Sequence, residues 1–116
     1  MASNEGFSGY TAKTAAYTVT AAENGTTFTN RGATAAFTFT LPAPFANARY
    51  RFFSVAAYAI TVAADAVDTL IGYNDIALDS IAGPATTAGV MLEIISDGTS
   101  WLAVNPTVGA TYTLNT

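Results

Sequence analysis

Turn-forming residues interrupt this chain at short intervals: Asn24-Gly25, Arg31-Gly32, Pro42, Pro44, Gly72, Gly83-Pro84, Asp97-Gly98, Pro106 and Gly109. The segments between them are short and rich in Thr, Val, Ile, Phe and Tyr. Frequent turn signals separated by β-branched and aromatic runs are the mark of an all-β sandwich or barrel. The expected fold is therefore all-β, a β-sandwich. At 116 residues the chain is one domain and long enough to bury a core without metal or disulfide staples.

Side-chain alternation supports that fold segment by segment. In AFTFTL, Phe37, Phe39 and Leu41 point one way and Thr38 and Thr40 the other. AYTVTA repeats this with Tyr17, Val19 and Ala21 inward, and YAITVA with Tyr58, Ile60 and Val62. Thr suits the solvated face because it joins β-propensity to a hydroxyl. RYRFFSV sets Tyr50, Phe52 and Ser54 against Arg49, Arg51, Phe53 and Val55. VMLEIIS is apolar on both faces except at Glu93. A strand with two apolar faces lies in the middle of a covered sheet or against a neighbouring subunit. The second is expected for at least one of these two strands.

Two hairpins are expected, at Asn24-Gly25 and, as a two-residue turn, at Asp97-Gly98. The second joins VMLEIIS to SWLAV and makes Trp101, the only tryptophan, a core anchor beside the turn. The stretch from Asp65 to Gly89 reads as one short strand, TLIG, in a long loop with a possible helical turn. Residues 1–13 read as an extended, flexible N-terminal arm, and residues 14–116 as the sandwich. No internal repeat, coiled-coil heptad or low-complexity tract is visible.

Composition narrows function mainly by exclusion. Charged residues make up only 10% of the chain and hydrophobic ones 51%. So little charge on so small a protein fits an oligomer, in which other subunits cover part of the surface. There is no Cys and no His, which removes disulfide frameworks, thiolate metal sites, Cys nucleophiles and imidazole-based triads. Ser and Thr are plentiful, but only Lys13 or the α-amine could activate one, and no G-x-S-x-G elbow occurs. An enzyme is not expected. With a net charge of −4 and four basic residues, nucleic acid is not an expected partner. No apolar run is long enough to span a membrane, and the start of the chain lacks the pattern of a signal peptide.

A few side chains still invite a chemical reading. Asp65, Asp68, Asp75 and Asp79 crowd one irregular segment and could offer Ca²⁺ hard oxygen ligands. Their spacing matches no EF-hand, and solvated turn caps are the plainer reading, so no cofactor or metal is expected. Arg49 and Arg51 could grip an acidic partner surface bidentately. Glu93, between Met91 and Ile95, calls for a cationic partner, with Arg49, Arg51 and Arg31 as candidates. Arg49, Arg51, Phe53, Met91, Glu93 and Ile95 are thus the candidate contacts to other subunits or to a larger partner.

Across YTVTAAENGTTFTNRGATAAFTFTLPAPFANARYRFFSVAAYAITVAAD and LEIISDGTSWLAV, the sequence resembles small β-rich virion proteins of tailed bacteriophages. The shared features are a strand ending TVTAA, an NG-T-F-T-N-x-GA turn and strand, an FTLP strand end, a Y-x-F strand and an ITV strand. The resemblance covers about Tyr17 to Val104. It implies a head decoration, or cement, protein: a jelly-roll-like sandwich, frequently a homotrimer, bound to the major capsid protein. Its place would be the outer surface of the virion, after assembly in the host cytoplasm. Similar modules in tail fibres imply the alternative, a receptor-binding domain engaging host surface glycan through Tyr10, Tyr73, Trp101 and Tyr112. A small secreted lectin-like or surface-layer protein is a third and weaker reading, since no export signal is seen.

Overall fold

A computed structural model describes residues 9–116. Among them the chain forms twelve strands in two sheets that pack face to face as a β-sandwich. In chain order these are β1 (Gly9–Ala12), β2 (Tyr17–Thr18), β3 (Thr26–Thr29), β4 (Phe37–Thr40), β5 (Ala46–Phe53) and β6 (Ile60–Ala63). They are followed by β7 (Leu70–Gly72), β8 (Asp75–Leu78), β9 (Ser80–Ala82), β10 (Met91–Asp97), β11 (Trp101–Val104) and β12 (Thr113–Asn115). One 3₁₀ turn, Ala21–Glu23, follows β2. The larger sheet runs β1-β3-β5-β10-β11-β7-β8 and the smaller β12-β9-β6-β4-β2.

That order makes the first half of the molecule a coil. The chain alternates between sheets, so odd strands β1, β3 and β5 stack in parallel in one, and even strands β2, β4 and β6 in parallel in the other. From β7 onward the neighbours are mostly antiparallel and close the stack: β10 against β5, β9 against β6. A repeat accompanies the coil, contrary to expectation. Two alanines and an aromatic lead into each of β2, β4 and β6: Ala15-Ala16-Tyr17, Ala35-Ala36-Phe37, Ala56-Ala57-Tyr58. Tyr17 pairs with Phe39, and Phe37 with Ile60, so each copy steps two residues along the next and keeps its inward set inward.

The core lies between the sheets. Phe28, Phe39 and Phe52 form an aromatic triangle with ring centroids 5.1–5.7 Å apart. Val19, Leu41, Val62, Ile81, Leu92 and Ile94 fill around it, all buried. Trp101 is fully buried as expected, tilted against Tyr50 at 5.9 Å and edge-on to Phe45 at 6.2 Å. Its Nε1 donates to the Pro42 carbonyl at 3.0 Å, which satisfies the one polar atom of the indole.

Coil corners carry their own polar pins. Asn30, wholly buried after β3, donates to the Ala56 and Tyr58 carbonyls and accepts from the Val55 and Ala56 amides, at 2.7–3.2 Å. One side chain thereby pins the next coil's corner with both its donors and its acceptor. Ser54 does similar work at the end of β5, accepting from the Val90 amide at 3.0 Å.

Several local expectations need correction. Asn24-Gly25 does not close a hairpin, because β2 and β3 belong to different sheets. It is a corner, with Gly25 at φ +91°, fastened to β5. There the Gly25 amide donates to the Arg49 carbonyl and the Arg49 amide to Asn24 Oδ1, both at 2.8 Å. The hairpin between β10 and β11 exists, but its loop is longer than two residues: Ser96 pairs with Trp101. Asp97 Oδ1 accepts from the Thr99 and Ser100 amides and shapes that loop. The segment from Asp65 to Gly89 holds three strands, not one. Ala21 and Tyr58, expected inward, are exposed. The expected arm overlaps β1, which pairs with β3 from Gly9 onward, and the rest of it lies outside the described residues.

Candidate interaction surface

β5 and β10 are neighbours with a fixed register, and that register assembles the six expected contact residues. Arg49 stands opposite Ile95, Arg51 opposite Glu93, and Phe53 opposite Met91. All six point away from the core, since Tyr50, Phe52, Leu92 and Ile94 between them point into it. Directly opposed residues on one face of an antiparallel pair sit roughly 4.5–5.5 Å apart at Cβ, close enough to act as units. The three rungs continue sideways: Leu102 flanks Ile95, Val104 flanks Glu93, and Ile71 flanks Leu102.

Glu93 is the polar centre of this face and only 8% exposed. Of the three candidate cations, Arg51 is its cross-strand neighbour. Its Oε1 also accepts from Asn105 Nδ2 at 3.0 Å, a partner the alternation of the strand could not suggest. Arg31 sits elsewhere, exposed in the link between β3 and β4. Beside Arg49, a cavity of about 380 Å³ opens among Asn24, Asn47, Ala48, Ile95 and Ser96. Asn47 holds its place there in a left-handed conformation, φ +64°.

The two outer faces of the sandwich differ in kind. On the smaller sheet the outward rows are Thr18-Thr40-Ala63-Ser80-Asn115 and Thr38-Thr61-Ala82-Thr113, hydroxyls, an amide and methyls throughout. Over β5, β10, β11 and β7 the larger sheet turns Phe53, Met91, Ile95, Leu102, Val104 and Ile71 outward, with Arg49, Arg51 and Glu93 among them, Asp97 at the end of β10, and Thr27 and Thr29 continuing the rows on β3.

The remaining candidate groups do not converge. Asp75 opens β8 and Asp79 follows it, whereas Asp65 and Asp68 lie in the turn before β7. Asp65 and Asp75 spend an oxygen each on local backbone amides. Among the described residues no group of three or more carboxylates is placed to hold a metal ion. Lys13 lies 3.8 Å over the Tyr17 ring. The Tyr17 hydroxyl donates to Glu23 Oε2 at 2.6 Å, which raises the Tyr17 pKa. Partial burial works against the Glu23 charge. Even so, the bonds from Tyr17 and from the Thr20 amide and hydroxyl hold its carboxyl below the ordinary value.

Of the four aromatics that would form a glycan site, Trp101 is in the core and Tyr10 is on edge strand β1. Tyr73 and Tyr112 do meet, with ring centroids 5.7 Å apart. Burial, and then Tyr112, push Tyr73 up to about 12. Tyr112 is itself tied down: its hydroxyl donates to the Met91 carbonyl at 2.6 Å and accepts from the Thr107 amide at 3.0 Å. No family model matches the sequence, and no curated protein matches it.

Proposed function

We propose that this protein is a non-enzymatic structural component of a tailed-bacteriophage particle. It binds the outside of the capsid through the major capsid protein, associates with itself as a homotrimer, and stabilises the shell. One observation carries the reading: the larger sheet gathers the six expected contact residues into three adjoining rungs, three apolar and three charged side chains on its outward side, with Phe53 the most exposed of them. Among soluble surfaces a broad apolar patch with a few charges is the mark of an association site. The sequence resemblance to small virion proteins supports the choice of partner. Many identical, individually weak contacts across a lattice would sum to firm attachment. The glycan-binding alternative is less well supported, since Trp101 has no exposed surface to offer a sugar.

The test is particle stability. Particles made without this protein should release their DNA at a lower temperature than complete ones, and adding the purified protein should restore the difference. Equal release temperatures would contradict the proposal.

A further inference from the structure

The link between β7 and β8 is two residues, Tyr73 and Asn74, with φ of +50° and +66°. The type I′ turn that closes such a hairpin needs both central residues left-handed, which is why Asn-Gly is its usual pair. Asparagine tolerates the conformation; a bulky tyrosine rarely adopts it. Here the strained position presents an aromatic ring that is 42% exposed, and Ile76, three residues on, is 77% exposed. The tip packs through Tyr112 on the loop that carries Val108, itself 98% exposed. Strain held at an exposed apolar tip points to a use outside the fold.

Charge indicates the kind of partner. Asp75 and Asp79 bracket β8, and Asp65 and Asp68 precede β7, so this region holds four of the eight acidic residues of the chain. No basic residue lies between Arg51 and the end of the chain. Asp75 stands beside the turn and Asp68 and Asp79 at the base of the hairpin, so a second copy would bring the same uncompensated carboxylates and be repelled. We infer that the β7–β8 hairpin is the shell-docking element. Tyr73 and Ile76 enter an apolar groove on the major capsid protein whose rim carries lysine or arginine. This rests on the capsid-binding reading above; it assigns attachment to the hairpin and leaves the face of β5 and β10 for contact between copies.

The experiment is co-sedimentation of the purified protein with shells stripped of it, in low salt and at roughly 0.5 M salt. Wild type is compared with Tyr73→Asn/Ile76→Thr, which keeps a left-handed residue in the turn and a β-former in the strand. The expected result is a rise of about tenfold in the half-saturating concentration for the variant. The thermal midpoint should stay unchanged, and salt should weaken wild-type binding. Should the double variant unfold, Ile76→Thr alone carries the test, because that side chain is mostly exposed. Equal binding by variant and wild type overturns the hairpin assignment and leaves capsid binding standing. Wild type that ignores shells overturns both, as does wild type that is retained on host glycans instead.

Discussion

At the residue scale, the coil corners depend on a buried polar side chain whose hydrogen bonds are all made. Asn30 makes four hydrogen bonds to the backbone of the next coil corner. Asn30→Ala would leave buried amides and carbonyls without partners at a cost of about 3 kcal/mol or more. Urea unfolding should show the midpoint falling with little change in slope. Trp101, fully buried, should emit in the blue and resist quenching by acrylamide. Trp101→Ala should cost about 3–5 kcal/mol by the same unfolding measurement. Two carboxyls set the acid behaviour. Glu23 is held below its ordinary value despite partial burial, and Asp97 is lowered by the Ser100 and then the Thr99 amide. A carboxyl depressed in the folded state contributes stability above its unfolded value, and that contribution is lost as pH falls through the folded one. The corner at Glu23 and the β10–β11 loop should therefore loosen on acidification below the ordinary carboxyl range. Amide exchange followed against pH would register this at Thr20, Thr99 and Ser100 before the core responds.

At the element scale, the tight approach of β7 to β11 sets where the β7–β8 hairpin stands. A Cβ added at Gly72 would lie 3.0 Å from the Ala103 Cβ, closer than methyl groups pack. Gly72→Ala should cost about 1–3 kcal/mol and speed amide exchange in β7 and β8 first. Ala103→Gly added to it should restore much of the loss, since Ala103 supplies the clash. The same elements mark how far the sequence could be read. RYRFFSV and VMLEIIS carry apolar residues on both sides, so alternation marked them as covered strands without saying which side is core. Their pairing then placed Arg49, Arg51, Phe53, Met91, Glu93 and Ile95 together. Alternation carries no information about which sheet a strand joins, so the parallel coil and the role of Asn24-Gly25 as a corner were illegible. Strands β8 and β9 escaped notice because they are short, only Asp79 separates them, and the turn into β8 is Tyr-Asn rather than Asn-Gly. Asn105 was missed as a partner of Glu93 because it lies beyond the end of β11, outside any periodic pattern.

At the scale of the whole molecule, the sandwich presents unlike surfaces on its two sheets. A hydroxyl-lined face on the smaller sheet suits water. The mixed apolar and charged face on the larger sheet would suit another protein, and under the proposal the β7–β8 hairpin at its edge, with Asp75 beside its turn, would suit a basic-rimmed groove. A chain with only 10% charged residues has little else with which to keep a large surface solvated, so association is a physical expectation as well as a functional one. The coil explains how so short a chain supplies two such faces, since each circuit adds a strand to both sheets at once. The most direct test of the capsid-binding account is the number of copies per purified phage particle, counted against the major capsid protein. The account predicts a ratio near one to one, as for a protein spread over the whole shell. A few copies per particle, or none, would contradict it.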